Sequence, residues 1–200
     1  RDLRSGLAEV VKMALVFDRS FARGLRDRWP GILARDPAAL SWALRRCVEL
    51  KARVVSADER DLEGRRELLN FGHTAGHGLE AAAGYGRFRH GEAVALGMAL
   101  ALKLSEHRGW LKQAGDRDLA RDLLARLSPP PWPCDLDWKM FAASVGRDKK
   151  RRGSRSSHRN SAHEIGRTQL GYRQTLLRLR QGALTIHWRL LLLDRLPVLQ

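Results

Sequence analysis

Cysteine is scarce in this chain of 200 residues. Cys47 and Cys134 stand far apart, and no Cys-x-x-Cys occurs. Two cysteines make no disulfide framework, so a stapled secreted scaffold is excluded and a reducing cytoplasm is the expected setting. No apolar run reaches the ~18 residues that a membrane-crossing helix needs, and no secretory leader is expected. A glycine-rich strand-to-helix fingerprint for a dinucleotide is also missing. The sequence starts at Arg1 rather than at methionine and opens directly on a helix-like segment, so it reads as the C-terminal part of something longer. Acidic residues are few: 22 Asp+Glu against 37 Lys+Arg give a formal charge of +15. Residues 1–150 carry 27 basic and 20 acidic side chains, whereas residues 151–200 carry 10 and 2. Before residue 150 the charges are mixed along helices rather than striped. That argues against a nucleic-acid binder, and a modest basic excess also suits a phosphorylated, carboxylate-bearing substrate.

The stretch Leu69–Gly97 organises the chain. It holds His73, His77 and His90, three of the seven histidines. His73 and His77 are four apart, so a helix places both on one face. His90 follows the glycine-punctuated loop Gly84-Tyr85-Gly86 and opens a second apolar run. Two histidines on one helix and a third at the mouth of the next can converge on one metal ion. A lone histidine on an apolar helix is ordinarily a packed or solvated residue. Three in this register, among glycines that let helices approach, weaken that ordinary reading sharply, without showing that both members of the pair bind a metal.

The run Leu69-Asn70-Phe71-Gly72-His73-Thr74-Ala75-Gly76-His77, with His90-Gly91-Glu92-Ala93-Val94-Ala95-Leu96-Gly97-Met98 after it, resembles the signature of the 3-dehydroquinate synthase family. Gly6–Lys12 and Lys51–Arg60 resemble two further family segments in order and spacing. The resemblance covers residues 3–150 and fades after Lys150. It implies a mainly α fold: the helical C-terminal metal- and substrate-binding domain of a two-domain protein, without the N-terminal α/β NAD domain. The implied activity is that of a carbon–oxygen lyase of the shikimate pathway and aromatic amino acid biosynthesis. It converts 3-deoxy-arabino-heptulosonate 7-phosphate to 3-dehydroquinate and phosphate with NAD and Zn2+ (or Co2+). By the same resemblance Glu9, His73 and His90 are the metal ligands. Lys12, Lys51 and His77 are catalytic, with His77 as a hydrogen-bonding or proton-relay group. Arg66, Asn70, Lys149 and Lys150 bind substrate, with one of the two lysines reaching it. The segment before Asn70 is one residue longer than the family pattern, which leaves Arg65 as an alternative to Arg66. A sugar-acid phosphate is the implied partner, with no nucleic acid and no membrane, and a homodimer remains open. The isolated chain is expected not to turn over.

Without the resemblance these residues read more blandly. Glu9 and Lys12 would be a solvated i,i+3 ion pair, Lys51 an exposed lysine, and Asp148-Lys149-Lys150 a charged helix end. Periodicity predicts helices over residues 3–17 and over 18–35, the latter ending near Pro30-Gly31. A third is predicted from Asp36-Pro37 to about Ala57, with Asp36 as N-cap. Residues 58–67 read as a charged loop. Ala93–Leu104 reads as a buried helix in which Gly97 permits close contact and Met98 is core. Arg117–Leu127 is a further helix, broken by Ser128-Pro129-Pro130-Pro131. Trp132, Trp138 and Phe141 read as packing residues, with Asp137 capping a short helix through Val145. With the resemblance, two units are expected: a helical zinc- and substrate-binding domain over 1–150 and a divergent basic tail over 151–200. In the tail, 151–170 is expected to be disordered and 174–198 could form an amphipathic helix; a shifted reading frame is the preferred origin and a genuine basic appendage the alternative. Two rival enzymes share the chemistry: a sister sugar-phosphate cyclase, and a metal-dependent polyol dehydrogenase of the same architecture. The Lys12, Lys51 and Asp-Lys-Lys set suits an anionic substrate better than a polyol.

Overall fold

The computed structural model describes residues 1–60, 65–107 and 114–153, and among them it is helical with no strand. Helix α1 (Asp2–Phe17) is the hub. It is buried almost continuously from Leu7 to Val16, because it is enclosed by α2 (Arg19–Leu33), α3 (Pro37–Ala57), α5 (His90–His107) and α6 (Ala114–Arg126). A single residue turns the chain from α1 to α2. Asp18 is extended and its carboxylate accepts the Phe21 N–H at 2.9 Å, an N-cap for α2. The same carboxylate is ion-paired with Arg46 of α3. Asp36 caps α3 by accepting the Ala39 N–H at 2.8 Å, with Pro37 at the first helical position, as the sequence predicts.

Helix α2 runs past Pro30-Gly31 to Leu33. Buried Trp29 and Ile32 anchor the turn on either side of the proline. The stop comes later, where Arg35 adopts φ 60°. There the Arg35 N–H bonds the Ile32 carbonyl and the Asp36 N–H bonds the Gly31 carbonyl, the paired pattern of a Schellman end. Arginine in this left-handed position is not a pattern that sequence reading expects, and the helix outlasts its predicted end near Pro30-Gly31. The charged segment expected as a loop over 58–67 also gives way to structure at its far end, a 3-10 turn over Arg65–Asn70.

Helix α5 divides the interior. Val94, Ala95, Met98, Ala99, Ala101 and Leu102 join the core around α1. Ala93, Leu96, Leu100 and Leu104, spaced three and four apart, form a second core with Leu79, Phe88, Leu136, Phe141 and Val145. That second core fills the space between α4 (His73–Ala82), α5 and α7 (Trp138–Gly153). Met98 is fully buried and Ala93–Leu104 is helical throughout, both as expected. Trp132 and Trp138 stack at 6.3 Å and both meet Phe141 edge-on. Asp137 caps α7 by accepting the Lys139 and Met140 N–H groups at 2.9 and 3.0 Å. This helix continues beyond Val145, through residue 150, to Gly153. The added turns contain no proline and are rich in lysine and arginine, which are good helix formers. The expectations for 154–200, including the 174–198 helix, lie outside the described residues. Among the described residues, no helix is long and apolar enough to cross a membrane.

Candidate metal and substrate site

Two close helix contacts bring the site together. Gly97 of α5 lies against the start of α4. A Cβ there would sit 2.9 Å from the Gly76 nitrogen and closer still to the Gly72 carbonyl oxygen. Gly72 itself has φ 81° and precedes His73, the first residue of α4. At the mouth of α5, Gly91 packs so tightly on Ser5 of α1 that any side chain would strike the Ser5 carbonyl. The Gly91 N–H donates to Ser5 Oγ at 3.1 Å. Glu9 lies one turn further along α1, and His90 precedes Gly91, so this contact carries Glu9 towards His90. Glu92 reaches back to accept the Arg89 N–H at 2.9 Å, the N3-to-N-cap half of a capping box that fixes where α5 begins.

Glu9, His73 and His90 converge: their ligand atoms all lie within 4.8 Å of one another. The His73 and His90 ring centres are 5.2 Å apart, and His77 completes a triangle at 5.5 Å from His73 and 5.8 Å from His90. Glu9 Oε2 accepts from Lys12 Nζ at 2.6 Å. Lys12 is 4% exposed, so it is a buried cation and not the solvated partner of the bland reading. Glu9 Oε1 is buried without a hydrogen-bond partner and faces His73 Nε2 at 3.5 Å.

That pairing is the test of a metal at this point. Burial, with the Lys12 charge adding to it, pushes the His73 imidazolium down to about 4, against the opposing influence of Glu9 and the Phe71 carbonyl. His73 is therefore neutral at pH 7. Its Nδ1 lies 3.3 Å from the Phe71 carbonyl oxygen, so the ring proton belongs on Nδ1 and the Nε2 lone pair points at Glu9. A lone pair facing a carboxylate oxygen is repulsive unless a cation lies between them. The 3.5 Å separation is close to the edge of a zinc tetrahedron, about 3.3–3.4 Å for ligand bonds of about 2.0–2.1 Å. A carboxylate and two imidazoles also suit zinc and leave a coordination position for substrate. The residues fit the ion.

Other expected site residues are placed less decisively. His77 is exposed on α4, beside the cluster but outside the Glu9–His73–His90 set. Asn70 is half-buried at the end of the 3-10 turn, three residues before His73. Arg66, on the same turn, donates to the Glu59 carbonyl at 2.5 Å, while its Nε is buried without a partner. Lys51 is exposed on α3, and the described contacts do not join it to the cluster. Lys149 and Lys150 fall on the backbone of α7, and their side chains, like that of Arg65, lie outside the described residues. Glu80 is the residue that sequence reading passed over. It stands 3.3 Å from His90 Nδ1 and forms a second potential metal-holding group with His77 and His90. The signal was present: His73, His77 and Glu80 follow the i, i+4, i+7 spacing of a single helix face.

Comparison with known proteins identifies the family. The 3-dehydroquinate synthase C-terminal family matches residues 6–151. The chain is 45% identical over 150 residues to the 3-dehydroquinate synthase of Idiomarina loihiensis (strain ATCC BAA-735 / DSM 15497 / L2-TR). That match covers 75% of this chain and 42% of the relative, so the chain spans less than half the relative's length. Among solved structures it is similar to the 2-epi-5-epi-valiolone synthase ValA of Streptomyces hygroscopicus subsp. jinggangensis 5008, which has NAD+ and Zn2+ bound. The TM-score is 0.65 at 27% identity, over 90% of this chain and 51% of that one.

Proposed function

Because the chain belongs to the 3-dehydroquinate synthase C-terminal family, we propose that it is the metal- and substrate-binding part of a 3-dehydroquinate synthase. The reaction would convert 3-deoxy-arabino-heptulosonate 7-phosphate to 3-dehydroquinate and phosphate in the shikimate pathway, as a carbon–oxygen lyase. The observation that carries this reading is the opposed pair of acceptors, Glu9 Oε1 and His73 Nε2, beside His90 and the buried Lys12. NAD would be held mainly by the part of the relatives that this chain does not span.

Glu9, His73 and His90 would hold the ion. Zinc, or cobalt in its place, would supply a Lewis acid that polarises the oxygen on the substrate carbon that gains carbonyl character. The protein's own groups do the rest. The Lys12 ammonium, already desolvated, offers Nζ–H donors to substrate oxygens beside Glu9. His77, exposed at the rim, is free to take up or release a proton at a ring nitrogen as substrate hydroxyls change state. Arg66 would exchange its neutral carbonyl partner for an anionic oxygen, a stronger acceptor for a guanidinium. Asn70, Lys51 and one of Lys149 or Lys150 would fix the hydroxyls, the carboxylate and the phosphate, and so orient the substrate.

Two measurements test this. Metal content is determined on Glu9→Gln, His73→Ala, His90→Ala and His77→Ala proteins. The first three should lose the ion and the fourth should keep it. Loss in His77→Ala with retention in Glu9→Gln refutes the ligand set. Phosphate release from the heptulosonate phosphate, with added NAD and zinc, should be absent for residues 1–200 alone. It should return when the missing portion of a relative such as the Idiomarina enzyme is joined to them. A second reading, a sister sugar-phosphate cyclase, is favoured by the valiolone synthase likeness. Faster phosphate release from a heptulose phosphate that lacks the carboxylate would establish it instead.

A further inference from the structure

Resting on that metal reading, we propose that Glu80 is the positioning residue for His90. Its carboxylate accepts the His90 Nδ1–H and so presents the Nε2 lone pair to the ion held with Glu9 and His73. Three observations converge on it. Glu80 Oε1 lies 3.3 Å from His90 Nδ1 across the α4–α5 junction, with the Glu80 side chain only 18% exposed. The His77 ring lies 5.8 Å from that of His90 at an interplanar angle of 30°, so α4 places a second side chain beside the His90 ring. His90 is 50% exposed, at the first residue of its helix, with less packing to hold it than His73 has.

An unrestrained, solvated imidazole favours the Nε2–H tautomer. In that form Nε2 has no lone pair for a ligand bond, and only a partner at Nδ1 reverses the preference. His73 has such a partner in the Phe71 carbonyl. Glu80 gives His90 the equivalent, and as a carboxylate it also raises the basicity of the coordinating nitrogen. The two histidines are thus oriented by different means: a main-chain carbonyl for the buried one, an anionic side chain for the exposed one. An exposed His–Glu contact contributes little to folding. Its effect belongs in metal binding and not in Tm.

The test uses residues 1–200 stripped of metal, as wild type, Glu80→Ala, Glu80→Gln and Glu9→Gln. Nitrogen-15 NMR of the histidines at pH 8 reads the tautomer directly. Wild-type His90 should carry its proton on Nδ1, and in Glu80→Ala it should move largely to Nε2. Zinc titration should show one ion bound, with affinity about 10–100-fold weaker in Glu80→Ala. Glu80→Gln, which keeps the shape and one acceptor oxygen but loses the charge, should fall between, with Tm near wild type. An unchanged His90 tautomer in Glu80→Ala overturns the proposal. So does a second zinc ion lost in Glu80→Ala while the first is unaffected, because Glu80 would then be a ligand. If Glu9→Gln leaves zinc uptake intact while the His90 tautomer still answers to Glu80, the metal reading fails and the orientation of His90 by Glu80 survives.

Discussion

Replacing Gly97 by alanine should damage stability and the metal site together. In an isolated helix the change is favourable by about 0.5–1 kcal/mol, because alanine loses less backbone entropy. Here the new Cβ would meet the Gly76 nitrogen at 2.9 Å and the Gly72 carbonyl oxygen at a still shorter distance, whereas real Cβ contacts essentially never fall under 3.0 Å. Both obstacles are main chain, so no rotamer change relieves them. The helices must separate by something on the order of an ångström. Overpacking of this kind costs about 1–3 kcal/mol and occasionally more, which outweighs the propensity gain. A clash with rigid main chain belongs at the upper end of that range, so about 1–2.5 kcal/mol remains after the propensity gain, and at about 2–4 °C per kcal/mol for a domain of this size Tm should fall by about 2–10 °C. Because α4 carries His73 and α5 carries His90, the same shift exceeds the ~0.5 Å tolerance of a preorganised site, and zinc affinity should drop at least tenfold. Gly6→Ala is the control. It lies on α1 with nothing within 4 Å of the added Cβ, so Tm should rise by about 1–4 °C with zinc binding unchanged. Thermal unfolding by circular dichroism and zinc titration read both effects. A Gly97→Ala protein as stable as wild type, with undiminished zinc affinity, would refute the close α4–α5 contact as the device that aligns the site.

Three further outcomes follow from named contacts. Lys12→Met removes one partner of the Glu9–Lys12 pair and leaves the Glu9 carboxylate without its cation, so the metal-free protein should lose stability, by less than the ~3–5 kcal/mol of a fully buried pair because the Glu9 side chain is 43% exposed. It also removes the positive charge 2.6 Å from Glu9 Oε2, so zinc should bind more tightly while phosphate release in the completed enzyme collapses; weaker zinc binding would show that Lys12 orients Glu9. Asp18→Ala removes the α2 cap and the Arg46 partner and should cost about 1–2 kcal/mol. Burial alone would raise the Asp18 carboxyl, but the Phe21 N–H and Arg46 outweigh it and hold it below 3.8. Its contribution is therefore present at neutral pH and lost as pH falls below that value, and the Tm gap between Asp18→Ala and wild type should narrow towards pH 3. His73 titrates near 4 when folded against 6.5 when unfolded. Below 6.5 the unfolded chain binds the proton more readily, so metal-free protein should lose stability as pH falls from 6.5 to 4, and His73→Ala should flatten that slope; an equal slope in both proteins would contradict a buried neutral His73.

Much of the helical frame was legible because its signals are local. Asp36-Pro37 announces α3, and the apolar run Ala93–Leu104 announces a buried helix. Asp137 does cap a helix, though α7 continues past the predicted end at Val145. The misplaced end of α2 had a different cause. A proline is a frequent stop, but Trp29 and Ile32 packing overrides it, and the true end depends on Arg35 tolerating a conformation usually reserved for glycine.

The sequence by itself determined that His73 and His77 share a helix face, that His90 opens another helix, and that the set belongs with Glu9 and Lys12 through a long motif match. Helical spacing is fixed by 3.6 residues per turn and needs no tertiary information. Only the tertiary structure decided which of these groups face one another. Glu9 meets His73 across 64 positions of sequence because Gly91 settles on Ser5 and Gly97 on Gly72. Burial then makes His73 neutral, leaves Glu9 Oε1 without a partner and turns Lys12 from a surface charge into a buried one. The part of Glu80 was hidden for the same reason: its partner sits on another helix, and no local pattern encodes a contact between helices.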